Sequence, residues 1–285
     1  MWVFCGNLWS DHGAPGMTKS RNDGVPVDAA LLAFAHRLAD VAAAITLPLF
    51  RTPLDVADKG DRVHEVSAVT RADRDAEAAM CALILATHPD HGVLGEEGGH
   101  SNTDARLTWV LDPIDGTKAF ITGFPTWGTL IALNDRGRPI LGIADQPFTR
   151  ERFVGHDGTA ALNGRPLGVR ACATLAEARL GMTTVRMFRR AEERAAFERM
   201  QARVALVRPG GDCYSYCMVA HGLLDLAVEG DLAPWDIQAL IPIVEGAGGV
   251  VTGWDGGPAA GGGCVIAAGD RRVHAQALAI LQEAL

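Results

Sequence analysis

Long apolar stripes at helical spacing alternate along this chain with short apolar runs that stop at carboxylates. Asp28 precedes Leu31, Phe34, Ala35, Leu38, Val41, Ala42 and Ile45, one face of a 3.6-residue helix with a capping oxygen at its start. Pro48 and Pro53 close it. A second stripe, Ala76, Met80, Leu83 and Ile84, predicts a helix from Arg71 to Ala86. The intervening residues 54–65 are charged and aperiodic and read as a loop. Short apolar runs then predict strands at Val93–Gly95, Leu107–Leu111, Thr126–Leu133 and Ile140–Gln146, with Asn134-Asp135-Arg136-Gly137 as a turn between the last two. Phe153–Val154 and Ala160–Leu162 flank a His-Asp-Gly turn, and Asn163-Gly164 marks another.

Later in the chain the pattern predicts helices over Arg186–Ala202, Cys213–Leu223 and Arg272–Leu285, and strands over Asp225–Glu229 and Cys264–Ala268. Asp236 reads as the cap of a helix carrying Ile237, Leu240, Ile241 and Val244 and ending at Gly248-Gly249. Pro242 interrupts that helix, which predicts a kink or a late start. No internal repeat is visible, and helices and strands mix in both halves, as in a layered α+β or α/β protein.

Composition narrows the functional classes. With 285 residues, 48% hydrophobic, the chain can bury a large core in one domain or two fused halves. A formal net charge of -8 without a basic run leaves no electrostatic footprint for nucleic acid. No run of about 18 apolar residues is apparent, which argues against a membrane partner. The start, Met1-Trp2-Val3-Phe4-Cys5, has no basic region, and residues 1–26 read as a loose extension rather than a secretion signal; translation starting at Met17 is an alternative. Six scattered cysteines without a Cys-x-x-Cys pair suit buried thiols in a reducing cytoplasm.

The chemistry concentrates in Trp109-Val110-Leu111-Asp112-Pro113-Ile114-Asp115-Gly116-Thr117-Lys118-Ala119-Phe120. An apolar strand stops at one carboxylate, turns through a proline, offers a second carboxylate, and opens into Gly-Thr. Hard oxygen ligands beside free backbone N–H groups suit hard cations and a phosphate. Glu65, Glu96-Glu97 and Asp236 lie in other loops or element ends. Each alone could be a cap or a solvated loop; strand ends that converge on one edge of a sheet would make them a site. A dehalogenase-type phosphatase would place its two aspartates two apart, not three. A zinc hydrolase built on His64, His88, His91 and His100 lacks a His-Glu-x-x-His pattern. A catalytically silent binding protein would not need every carboxylate.

Gly95-Glu96-Glu97, Asp112-Pro113-Ile114-Asp115-Gly116-Thr117 and Trp235-Asp236 resemble, in order and spacing, the signatures of the inositol monophosphatase family, magnesium-dependent and lithium-sensitive phosphomonoesterases. Val69-Thr70-Arg71-Ala72-Asp73, followed by Glu77, is similar to an earlier segment of that family, so the resemblance covers about residues 28–285. Asp115–Gly123, Gly211–Tyr216 and Pro242–Gly249 look most like its histidinol-phosphate phosphatase branch. One departure is Val63-His64-Glu65-Val66-Ser67-Ala68-Val69-Thr70, where the branch usually shows Lys-x-Asp-x-Ser-Pro-Val-Thr.

The resemblance implies a layered αβαβα sandwich of the inositol monophosphatase / fructose-1,6-bisphosphatase type. An N-terminal half (27–155) would carry most metal ligands, and a C-terminal half (156–285) would carry Asp236 and the recognition residues. One Mg²⁺ would take Glu96, Asp112 and the Ile114 carbonyl, and a second Asp112, Asp115 and Asp236. A third, weaker ion would use Glu96 and water near Glu65, whose longer arm puts that role in question. Mn²⁺ is an alternative, and an all-oxygen ligand set disfavours zinc. Thr117 and Glu96 would orient the attacking water, with Asp112 bridging the ions. The N–H groups of Gly116 and Thr117 would hold phosphate oxygens, and Asp212, Glu229 and Arg208 are the candidate substrate contacts. The implied reaction is hydrolysis of L-histidinol phosphate in histidine biosynthesis. Inositol 1-phosphate and 3′-phosphoadenosine 5′-phosphate are the alternative substrates, and a homodimer is the implied assembly.

Overall fold

A computed structural model describes residues 25–53, 56–58, 68–102 and 104–285. The first stripe forms α1 (Ala29–Thr46), where an Asp28 carboxylate oxygen accepts the Leu31 N–H at 2.8 Å. The second forms α2 (Arg71–Thr87). Ala29–Leu49 holds no unbroken apolar run of membrane-spanning length, but its overall length and mean hydropathy of 1.5 would allow it to cross a membrane. Its leucines, with Val41, Ile45 and Phe34, supply most of that hydropathy and its alanines the rest. Phe34, Ala35, Leu38, Ala39 and Ala42 are nevertheless buried in a protein core with α2, the ordinary position of an apolar core helix.

Strands β1 (Val56–Asp58) and β2 (Ala68–Thr70) pair antiparallel, so part of the segment expected to be loop is a strand. Glu65, Val63 and their neighbours lie outside the described residues. An eight-stranded sheet follows, built from β3 (Gly92–Gly95), β4 (His100–Ser101), β5 (Leu107–Asp115), β6 (Gly128–Asp135), β7 (Arg138–Gln146), β8 (Glu151–His156), β9 (Thr159–Leu162) and β10 (Arg165–Pro166). Its order is β10-β9-β8-β7-β6-β5-β3-β4, with β3 and β5 parallel and the other pairs antiparallel. The two short hairpin strands at its end carry it past residue 155, where the sequence reading divides the halves.

A mixed five-stranded sheet has the order β12-β11-β13-β15-β14. It contains β11 (Arg179–Met182), β12 (Leu206–Pro209), β13 (Leu226–Leu232), β14 (Val250–Gly253) and β15 (Gly263–Ala268). Strands β11, β12 and β14 escape the sequence pattern. Each is four residues long, and β12 is an exposed edge without alternation. The remaining helices are α3 (Thr117–Thr122), α4 (Ala191–Gln201), α5 (Cys213–Ala220), α6 (Pro234–Ile237), α7 (Leu240–Gly246) and α8 (Arg271–Leu281). Helix α4 starts later than Arg186, where the Glu193 carboxylate accepts the Arg190 N–H at 3.0 Å.

Alternation along the strands sorts the core into layers. Trp109, Leu111, Ile131, Leu133, Leu141 and Ile143 face α1 and α2. Val110, Leu130, Ala132 and Ala144 face the opposite way, onto Tyr216 and Cys217 of α5 and Ile243 and Val244 of α7. Ala227, Val265 and Ala267 of the smaller sheet close that layer from the far side. Leu226, Val228 and Ile266 point outward onto Phe197 of α4 and Val273 and Ala277 of α8. The chain is therefore the α+β, αβαβα sandwich expected from its sequence.

Helix α7 rests directly on backbone. A Cβ at Gly142 would lie 1.9 Å from the Ala239 carbonyl oxygen, one at Gly155 2.3 Å from Pro242, and one at Gly246 2.2 Å from the Thr159 oxygen. No side chain larger than hydrogen fits between these surfaces. Pro242 sits in the first turn of α7, so the helix breaks between residues 237 and 240, the late start that the proline predicts.

Candidate active site

Strand β5 runs buried through Trp109, Val110, Leu111 and Asp112. Its pairing with β6 then slips: Asp112 is opposite Leu130, but Asp115 is opposite Gly128. The bulge holds one extra residue on β5, and Pro113 has no N–H for the ladder there. The Pro113 carbonyl instead accepts the Thr129 hydroxyl at 2.8 Å, and the Ile114 N–H turns back to an Asp112 oxygen at 3.0 Å. On a regular strand, residues three apart face opposite ways. The bulge lets both aspartates reach the same space.

Gly116 follows at φ +78°, a left-handed conformation suited to glycine, and α3 begins at Thr117. Phe120, Ile114, Phe50 and Trp127 pack beneath this turn. The Thr117 hydroxyl donates to the Ile114 carbonyl at 3.2 Å. Opposite, Asp236 lies inside the first turn of α6 rather than at its cap, and its carboxylate accepts the Ala233 N–H at 2.7 Å. Gln238 anchors this helix, accepting from the Asn134 amide at 2.8 Å and donating to the Ala260 carbonyl at 2.9 Å.

Ligand atoms from Asp112, Asp115 and Asp236 all lie within 4.8 Å of one another. Glu96, just past β3, adjoins Asp112. Burial first, then the charges of Glu96, Asp115 and Asp236, hold the Asp112 carboxyl well above the usual range. Asp115 is raised by burial and by Asp212 and Asp236, while the Cys213 N–H, donating at 2.7 Å, opposes the rise. Four carboxylates in one small volume repel each other until a cation or protons intervene. All-oxygen donors, one of them fully buried, fit a hard divalent cation.

The sequence singles out Glu77 without a role. On α2 it is buried, and its oxygens accept the N–H groups of Glu97 at 2.8 Å and Gly99 at 2.7 Å. It therefore straps down the loop that presents Glu96. Thr183 escapes sequence reasoning altogether, because the strand before it is too short to be seen.

Asp212, at φ +46°, packs against Gly116: a Cβ there would lie 2.9 Å from the Asp212 carboxyl carbon. Burial raises Asp212 to about 6, against the opposing pull of Thr126, Lys118 and Thr183. Glu229, on β13, is buried and raised to about 8 by that burial and by Asp212 and Asp236, against the Thr183 hydrogen bond. The structure thus gathers Glu96, Asp112, Ile114, Asp115, Gly116, Thr117, Asp212, Glu229 and Asp236 in one region. Arg208 does not join them. It sits on the exposed edge strand β12, its guanidinium folded onto the Pro209 carbonyl, because this edge faces solvent.

Comparison with known proteins agrees with this geometry. Residues 28–285 match the inositol monophosphatase family. A bifunctional phosphatase of Arabidopsis thaliana (IMPL2, chloroplastic) is 42% identical over 262 residues, covering 88% of this chain and 74% of that protein. A histidinol-phosphatase of Mycobacterium tuberculosis is 37% identical, covering 83% of this chain and 92% of its own. The solved structure of an inositol monophosphatase from Zymomonas mobilis superposes with a TM-score of 0.79 at 44% identity, covering 88% of this chain and 97% of that one. Phosphatase relatives, a shared fold and a carboxylate cluster at the bulged end of β5 lead to one assignment: the chain belongs to the inositol monophosphatase family and is a phosphomonoester hydrolase.

Proposed function

We propose that the enzyme hydrolyses L-histidinol phosphate to L-histidinol and phosphate. The observation that carries this reading is the carboxylate pair of Asp212, packed against Gly116, and Glu229, close enough to Asp212 to feel its charge. Both are raised by burial, so a ligand that brings a cation into this space lowers them again and releases protons, and its binding tightens as pH rises. Histidinol phosphate carries an ammonium group at a suitable remove from its phosphate; inositol offers only hydroxyls. Relatives named histidinol-phosphatase support the same reading. The Zymomonas mobilis neighbour supports inositol 1-phosphate as a second substrate class. The free thiols among the described residues suit a reducing cytoplasm.

Glu96, Asp112, Asp115, Asp236 and the Ile114 carbonyl would hold Mg²⁺. When bound, the ions neutralise the phosphate's charge and make water acidic enough to attack. The Thr117 hydroxyl, donating to Ile114, turns its lone pairs outward and can accept a hydrogen bond from the attacking water. Glu96 takes the water's other proton as its oxygen bonds to phosphorus. The N–H groups of Gly116 and Thr117 hold the phosphate oxygens. The phosphorus–oxygen ester bond breaks as the leaving oxygen takes a proton from a water held by Asp236, and the proton that Glu96 gained returns through solvent to the hydroxide left behind. The nucleophile is water throughout, so no phospho-enzyme forms.

Phosphate release with Mg²⁺ from L-histidinol phosphate, inositol 1-phosphate and 3′-phosphoadenosine 5′-phosphate tests the reading. A preference of about a hundredfold for histidinol phosphate, about 2.7 kcal/mol, is expected. Comparable kcat/KM values on inositol 1-phosphate would discard the substrate and keep the chemistry.

A further inference from the structure

Thr183 follows directly on β11, which lies between β12 and β13 in the smaller sheet. Asp212 belongs to the turn after β12, and Glu229 is part of β13. Strand β11 runs parallel to both, pairing Met182 with Pro209 on one side and Gly181 with Ala227 on the other. Continuing that register brings residue 183 level with Glu229. The Thr183 hydroxyl donates to a Glu229 carboxylate oxygen and accepts the Asp212 N–H at 3.0 Å. The Thr183 carbonyl accepts the Gly210 N–H at 3.0 Å. A threonine hydroxyl has one proton to give, and here it goes to Glu229.

The next peptide points the other way. The Cys213 N–H donates to Asp115, so consecutive N–H groups of one turn reach Thr183 and a proposed metal ligand. The left-handed backbone at Asp212 makes this divergence possible. The turn is also tight, since a Cβ at Gly211 would lie 2.0 Å from the Ser215 hydroxyl oxygen.

We infer that Thr183 is a positioning residue for substrate discrimination: its one hydroxyl holds the Glu229 carboxylate and the Asp212 turn in a fixed relation. This rests on the reading of Asp212 and Glu229 as the recognition pair. Without the hydroxyl, Glu229 loses one of its donors and the Asp212 N–H loses its acceptor; Thr126 still donates to the Asp212 carboxylate at 3.3 Å, but the link that fixes the two carboxylates relative to each other is gone. Loss falls on the substrate that needs both groups placed, not on phosphate esters that reach neither.

The test is the ratio of kcat/KM for L-histidinol phosphate to that for p-nitrophenyl phosphate. Thr183→Val, which keeps the shape and removes the hydroxyl, is expected to lower the ratio about tenfold, the effect of losing one buried hydrogen bond. Thr183→Ser keeps the hydroxyl and should hold the ratio within about twofold of the parent. Thr183→Ala serves as a second hydroxyl-free variant, and if neither it nor Thr183→Val folds while Thr183→Ser does, the role is structural and the inference is overturned. It is also overturned if both hydroxyl-free variants keep the ratio while Glu229→Gln and Asp212→Asn lower it. If those two variants leave the ratio unchanged, the recognition reading itself fails.

Discussion

Asp112→Asn separates the stability of this protein from its activity. Asparagine keeps the oxygen that accepts the Ile114 N–H, so the bulge can persist. It removes one charge from a cluster whose ligand atoms lie within 4.8 Å. At that separation two full charges in an effective dielectric of 20 repel by about 3.5 kcal/mol. Protons already relieve part of this, since burial and neighbouring charge hold the Asp112 carboxyl well above its ordinary range. A net gain of about 1–3 kcal/mol remains for the metal-free protein. For a chain of this size that is about 2–8 °C in Tm. Thermal unfolding in EDTA should therefore show the variant melting above the parent. Added Mg²⁺ should raise the parent's Tm by mass action and the variant's far less. Turnover should fall about a thousandfold or more, because several kcal/mol of charge stabilisation goes with the ligand. A variant that melts below the parent in EDTA, or that keeps Mg²⁺-dependent turnover, would refute the reasoning.

Two further outcomes follow from the geometry. Glu229 keeps its proton to about pH 8 when folded but releases it near 4.5 when unfolded, so the folded state binds more protons between these values. Stability in EDTA should fall as pH rises from about 5 to about 8, and Glu229→Gln should flatten that fall; an unchanged slope in melting curves counts against the assignment. Gly142→Ala places a methyl 1.9 Å from the Ala239 oxygen, with cost of about 1–3 kcal/mol or more as backbone shifts. It should also raise the Mg²⁺ concentration for half-maximal activity, because Asp236 lies three residues before Ala239. Gly168→Ala, where a Cβ meets nothing within 4 Å, is the matched control.

Long periodic segments were readable from the sequence because their burial is one-sided. The cap at Asp28, the helix after Arg71 and the hairpin around Asn134–Gly137 follow from local chemistry. The carboxylates of the β5 motif could be recognised because a strand ending in Asp-Pro-x-Asp has few other uses. What escaped depends on partners far away in the chain. Strands β11 and β12 are too short to display a period, and only their pairing defines them. Arg208 looked like a substrate contact because the edge strand that turns it outward was invisible. Asp236 looked like a cap because a four-residue helix cannot be told from the start of a longer one. The mean hydropathy of α1 was also invisible to a search for unbroken apolar runs, because His36, Arg37 and Asp40 interrupt it.

The bracing of three of the four carboxylates bears on ion selection. Glu77 ties down the loop that carries Glu96, Cys213 fixes Asp115, and the Asn134–Gln238 bond with the bare contact at Gly142 seats the helix bearing Asp236. Such a cage has little freedom to widen. Calcium–oxygen distances exceed those of magnesium by about 0.3–0.5 Å, and calcium also prefers more ligands. Walls that could not retreat by that amount would sort dications by ionic radius, and rigidity laid down in packing would then favour the smaller ion.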